Sequence, residues 1–192
     1  MHTQKIFKVL QSFILIPMIA IASPLTNQAD LEKPTADIVS ISSESSVITT
    51  QEDESREKAE AIDNYFASKG APLSGYGIKF VKEAEKNDLD WRLLPAIAMR
   101  ESTGGKFACK SVNAPNNSFG WYSCKKGFDS VEESIEYISK TISGNNEKAT
   151  SYNKDMTTEQ ILKTYNPDSI VPGYSKQVIK IMDSIGSLNE KI

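Results

Sequence analysis

From about Glu52 onward, apolar residues recur at spacings of three and four, the period of helices packed along one side. The first predicted helix runs from about Glu52 to Ser68 and stops at Gly70. The second, Gly77 to Asn87, sets Ile78, Val81 and Ala84 or Glu85 along one side. The third starts behind Asp90, a good N-cap, runs from Trp91 to Ser102 and is halted by Gly104-Gly105. The fourth opens with Asp129-Ser130-Val131-Glu132, spaced like a capping box, and continues to about Ser143. The fifth, Tyr174 to Ile185, carries Val178, Ile181, Met182 and Ile185 at helical spacing, and a short helix is expected at Thr158 to Thr164. No stretch alternates apolar and polar residues convincingly enough for a strand, so the fold class is mainly α.

The pattern is different upstream. Lys5 and Lys8 precede a nearly all-apolar run, Val9 to Ala22, that ends in Ala20-Ile21-Ala22. These are the parts of a secretory signal, with small residues where a signal peptidase cuts. The run is short for a membrane span and Pro17 interrupts it. The alternative is an uncleaved N-terminal anchor, the one expected route to a membrane; both readings export the helical domain. Residues 23–55 are rich in Ser, Thr, Asp and Glu, with few large apolar residues to offset ordering entropy, and read as a disordered tether. The expected organisation is therefore signal peptide 1–22, acidic linker 23–55 and a helical domain 56–192 whose core spans about 73–185.

Charge and composition then narrow the chemistry. The net charge is −3, and the acid excess sits in the tether, so the domain lacks the basic surplus of a nucleic-acid binder. The single histidine is His2, inside the leader. Without it the mature chain cannot build a Ser-His-Asp triad, a Cys-His peptidase or a histidine-ligated zinc hydrolase. Catalysis would have to run on carboxylates, tyrosines, lysines or backbone dipoles, and neither a metal nor an organic cofactor is suggested.

Between the third and fourth helices lies a long stretch, Gly104 to Phe128, containing both cysteines and several turn residues. A long loop in a small domain is usually functional or stapled. Export places Cys109 and Cys124 in an oxidising compartment, where a bridge would stabilise the fold by about 3 kcal/mol in the chain-entropy model. The alternative is two free thiols.

The third helix carries the candidate chemistry. Leu94, Ile97 and Ala98 mark its apolar stripe, and Glu101 continues it. Desolvation at such a position favours a neutral carboxylic acid, which at the rim of a cleft can protonate a glycosidic leaving oxygen. On periodicity alone Glu101 could equally pair with Arg100 or Lys106, or be solvated beyond the helix end.

Three blocks bear on that choice: Ala96-Ile97-Ala98-Met99-Arg100-Glu101-Ser102-Thr103-Gly104-Gly105, Asn117-Ser118-Phe119-Gly120-Trp121, and Thr164-Tyr165-Asn166-Pro167. The first resembles the catalytic-helix signature of the lysozyme-like superfamily. The second is similar to the Asn-x-aromatic-Gly segment of its endo-β-N-acetylglucosaminidase branch, and the third to the late Tyr-Asn segment of lytic transglycosylases. The resemblance covers about Leu73 to Ile185. It implies a lysozyme-like helical domain with a reduced β-lobe, acting on β-1,4 bonds between N-acetylglucosamine and N-acetylmuramic acid in peptidoglycan. It further implies that Glu101 is the general acid and that Ser102 helps orient it. Asn117, Phe119 and Gly120 would shape the cleft floor, Trp121 and Tyr122 would pack against sugar rings, and Tyr165 would hydrogen-bond Glu101 or the substrate. For the aromatics, Phe119 above all, ordinary core packing is the alternative.

The chain departs from a two-carboxylate glycosidase, which needs a second acid about 5–5.5 Å or about 6.5–9.5 Å away. Gly104 to Phe128 contains no Asp or Glu; Asp129 and Glu132 read as capping, and Glu133 and Glu136 as an exposed helix face. One carboxylate could serve as acid and then base, as in lytic transglycosylases, or a distant acid could position water. Two other classes compete: a non-catalytic glycan-binding module, and a secreted helical inhibitor or adhesin. The expected setting is a monomer, secreted or attached to a bacterial cell envelope, with peptidoglycan strands as its partner.

Overall fold

The computed structural model describes residues 42–187, with side chains from residue 50 onward. The expected signal peptide, and the expected tether as far as residue 41, lie outside the described residues. Six helices order the chain: α1 (Ser42–Ser68), α2 (Gly77–Lys86), α3 (Leu93–Ser102), α4 (Val131–Ile142), α5 (Thr158–Tyr165) and α6 (Tyr174–Gly186). The described residues fall within one unit, Val39–Ile192. Among them there is no strand, and no helix is long and apolar enough to cross a membrane. The stretch expected to hold a reduced β-lobe contains instead a single 3-10 turn, Trp121–Cys124.

Each boundary has a local cause. Helix α1 begins at Ser42, well before the expected Glu52, so residues 42–55, read from composition as tether, are helical. Its buried face starts at Ser55, whose hydroxyl donates to Glu85 Oε1 at 2.6 Å, and continues through Ala59, Ile62 and Phe66. Asp63 Oδ1 accepts from Gly75 N and Gly77 N, satisfying backbone donors at the start of α2. Gly77 is required there, because an added Cβ would lie 2.1 Å from the Ala59 carbonyl oxygen.

The buried residues of α2 are Gly77, Phe80, Val81, Glu83 and Ala84. The stripe expected through Ile78 and Glu85 is therefore rotated: Ile78 is 42% exposed, and Phe80 takes its place in the core. Asp90 accepts from Arg92 N at 2.9 Å and clamps the Arg92 guanidinium, which fixes the turn into α3. At the other end Thr103 is left-handed and Gly104 N reaches back to Ala98 O, a Schellman-type stop.

Helix α4 is capped by Ser130, which accepts from Glu133 N, while Glu133 Oε2 accepts from Asp129 N. The expected box is thus displaced by one residue, with Glu133 in the role read for Glu132. Glu136 is exposed and forms ion pairs with Lys79 and Lys86 of α2. Helix α5 carries a full capping box, Thr157 with Gln160. Helix α3 is the centre of the molecule: Leu93 to Ala98 are all buried, packed on α6 through Val178, Met182 and Ile185. Such burial on every side leaves α3 one way to reach solvent, at its C-terminal end.

Candidate active site

That end carries Glu101, partly buried, at the rim of a cleft of about 580 Å³. The cleft is lined by the end of α3, the Phe119–Ser123 loop, Thr141 of α4, residues 148–152 and the end of α5 with the turn after it. Glu101 is the one carboxylate among the described residues that line it.

The two carboxyl oxygens have different surroundings. Tyr174 Oη donates to Oε1 at 2.7 Å. Tyr174 is fully buried at the first position of α6, where left-handed Gly173 turns the chain into the helix. Burial, with the adjacent Glu101 charge behind it, raises the Tyr174 hydroxyl above its ordinary value of 10 and keeps it a neutral donor. Oε2 lies beside Gly120, where an added Cβ would sit 3.0 Å from it. Gly120 also has φ 63°, so its lack of a side chain serves both the backbone and the carboxyl group. The two cations that could have neutralised Glu101 are placed elsewhere. Arg100 Nε donates to Gln177 Oε1 at 2.8 Å with its guanidinium over the Tyr174 ring, and Lys106 Nζ lies near Gly70.

Behind the carboxyl group stands an aromatic stack. Tyr165 and Tyr174 lie almost parallel, 6.2 Å between centroids and 6° between planes. Trp121 packs on Tyr165 at 5.5 Å and meets Tyr122 edge-on at 5.6 Å. Tyr165 Oη donates to Phe119 O at 2.6 Å and so fixes the loop, while the tyrosine bonded to Glu101 is Tyr174. Burial raises the Tyr165 hydroxyl well above 10, with the Tyr174 and Glu101 charges adding to it. Tyr152, in the 148–152 wall, is pushed up to about 12 by burial and by Tyr122. The Trp121 Nε1 donor is buried without a hydrogen-bond partner.

The loop bearing Phe119 to Tyr122 is organised by one amide. Asn117 Nδ2 donates to Trp121 O at 2.9 Å and Lys126 O at 2.8 Å. Its Oδ1 accepts from Phe119 N at 3.2 Å and Trp121 N at 3.0 Å. Ser102 ties this loop to α3: its hydroxyl lies 2.6 Å from Ser118 O and 3.1 Å from Ala98 O, and accepts from Gly105 N. Cys109 and Cys124 are disulfide-bonded, closing the loop at its outer edge. Within it Tyr122, Ser123 and Cys124 are all left-handed, with φ of 51°, 51° and 60°, which is strained for residues bearing a Cβ.

Of the residues singled out from sequence, Glu101, Phe119, Gly120, Trp121, Tyr122 and Tyr165 come together around the cleft. Phe119 does so while its side chain is fully buried in the core. Ser102 and Asn117 stand behind the cleft and hold its loop. Sequence reasoning missed Tyr174, Tyr152 and Lys148. Tyr174 begins the stripe continued by Val178 and Met182, so helical spacing could have placed it on the core side of α6. Nothing in the spacing marks Tyr152 or Lys148, which lie on a segment without regular structure. Chemically, the arrangement offers one carboxyl group, held on one oxygen and open on the other, beside flat apolar faces and neutral hydroxyl donors. No protein-family model matches the sequence, and neither does any curated protein.

Proposed function

We propose that this protein is an exported enzyme of lysozyme-like type that cleaves β-1,4 bonds between N-acetylglucosamine and N-acetylmuramic acid in peptidoglycan, with Glu101 as general acid. One observation carries the reading: a partly buried glutamate, braced by Tyr174, is the one carboxylate among the described residues of an aromatic-walled cleft. A sugar ring can cover Trp121 or Tyr122 with its apolar face while its hydroxyls keep polar partners. Glu101 protonates the bridging oxygen from Oε2 and afterwards accepts a proton as the base.

With a single carboxylate, the route that best fits is the transglycosylase one. There the substrate's own hydroxyl attacks the anomeric carbon, an anhydro-sugar forms and no second acid is needed; two-carboxylate routes require a partner this cleft lacks among the described residues. The same lack is what favours the second reading, a glycan-binding module without turnover.

The test is to incubate the oxidised full chain with purified peptidoglycan, beside Glu101→Gln, and to identify released fragments by mass spectrometry. Anhydro-muropeptides that fall by several orders of magnitude in the variant are expected. Reducing-end products would mean hydrolysis instead. No release from either protein, with both sedimenting with the wall, would leave the binding module.

A further inference from the structure

The wall of the cleft that carries Tyr122 is held in a form its own residues do not favour. Tyr122, Ser123 and Cys124 follow one another in the left-handed region, with φ of 51°, 51° and 60°. Residues with a Cβ enter that region singly and at a cost, and rarely in succession. Just before them, Trp121 Nε1 is buried without a hydrogen-bond partner, a second unfavourable feature of the same wall. Tyr122 and Ser123 line the cleft and are both exposed, so burial does not keep them there.

The restraint comes from the ends of the stretch and from one covalent tie. The Asn117 amide donates to Trp121 O before it and to Lys126 O after it, so residues 122–125 form a short span between two points on one anchor. Within the span Lys125 N donates to Tyr122 O at 3.0 Å. Its side-chain ties are the edge-on contact of Tyr122 with Trp121 and the bridge from Cys124 to Cys109, of which the covalent one is the stronger. Cys109 is fixed independently, because its N–H donates to Asn117 O at 3.0 Å. Both cysteines are partly exposed and so open to a thiol from solvent. The bridge thus joins a fixed point to a strained span, and opening it frees residues 122–125 while the Asn117 anchor stays bonded.

We propose that the Cys109–Cys124 bridge is a redox latch on the cleft: when a dithiol opens it, residues 122–125 relax and the Tyr122 ring leaves the wall. One dithiol sulfur attacks a bridge sulfur and releases the other cysteine. The second dithiol sulfur then closes on the first and releases the remaining cysteine. Two electrons and two protons pass to the chain, which ends with two thiols, and the dithiol ends as a cyclic disulfide. The inference takes its ligand from the glycan reading of the same cleft and adds a condition under which that cleft is complete. Loss of one aromatic contact weakens binding by about threefold to tenfold. Linkage demands the converse: saturating glycan shifts the thiol–disulfide equilibrium toward the bridge by the same factor.

The experiment uses the full chain with Glu101→Gln, so that a bound glycan is not cleaved, and Trp91→Phe, which leaves Trp121 as the one tryptophan. It is compared oxidised, reduced with dithiothreitol, and as Cys109→Ser with Cys124→Ser. Acrylamide quenching follows the exposure of Trp121, far-ultraviolet circular dichroism follows the helices, and calorimetry gives Kd for an N-acetylglucosamine oligomer. Stronger quenching and a Kd raised threefold to tenfold in both bridge-free forms, with the helices intact, support the proposal. Adding Ser123→Gly should recover part of the lost affinity in the reduced chain, since glycine takes a φ of 51° without penalty. Four results overturn it: a bridge that dithiothreitol does not open in the folded chain, quenching that does not change on opening, a Kd that does not change, or loss of the helices, which would make the bridge a staple of the whole fold. If no form binds the oligomer but quenching still rises on opening, the latch stands and the glycan reading of the cleft falls.

Discussion

At the scale of the residue, the Glu101 environment makes two substitutions informative. Tyr174→Phe keeps a buried ring against Tyr165 and removes only the hydroxyl bonded to Oε1. Stability should fall by about 1 kcal/mol, the usual worth of one such bond. For the proposed reaction kcat should fall about tenfold to a hundredfold with KM unchanged, since the tyrosine positions the acid and does not line the cleft. A drop in KM-controlled binding with kcat intact would contradict that role. Gly120→Ala confronts a φ of 63° and an oxygen 3.0 Å from the new methyl. The backbone cost is about 1–2 kcal/mol, readable by denaturant unfolding. Activity should fall further than stability explains, because the carboxyl group is displaced. Glu101 was legible from the sequence because the stripe of α3 runs into it; Tyr174 was not, since its partner lies on another helix and no local rule links them.

At the scale of the element, the Gly104–Phe128 segment shows how a loop without strands holds its shape. Its order comes from Asn117, whose amide makes four bonds to the backbone, and from the bridge between Cys109 and Cys124. Asn117→Ala leaves buried or half-buried donors and acceptors unmatched, and should destabilise the protein by about 2–4 kcal/mol. Thermal unfolding in the oxidised state measures this, and a loss below about 0.5 kcal/mol would show that the loop has other support. The helices themselves were legible from apolar spacing, with two instructive misses. In α2 the expected face is rotated from the real one because Ile78 looks more core-like than Phe80 by spacing from Val81, whereas close approach at Gly77 fixes the rotation. In α1 the Ser, Thr and Glu content before residue 55 hides the start of the helix, because composition measures how much apolar surface is available and not whether a turn already formed is extended.

At the scale of the whole molecule, the tyrosines tie the fold to pH. Tyr152, Tyr165 and Tyr174 all titrate above the ordinary value of 10, burial being the largest cause in each. Their folded values lie above the unfolded one, so the unfolded chain loses these protons first as pH rises. The stability they contribute is complete below pH 10 and declines above it, through about 12 for Tyr152. Denaturant midpoints should therefore drop between these pH values, and midpoints that stay constant across them would show that these hydroxyls are not held protonated by the fold. None of this was visible in the sequence, where the seven tyrosines are scattered and only the packing of separate segments makes three of them neighbours.

The unequal holding of the Glu101 oxygens also bears on direction. Under the proposed chemistry, with Tyr174 on Oε1, a proton would pass to a bound glycan from the Oε2 corner beside Gly120. A polysaccharide has two unlike ends, and reversing it in the cleft turns the bridging oxygen's lone pairs away from that corner. Under the proposed chemistry the molecule distinguishes strand polarity: of two ways a strand can be threaded past Trp121 and Tyr122, one is productive and the other only occupies the groove.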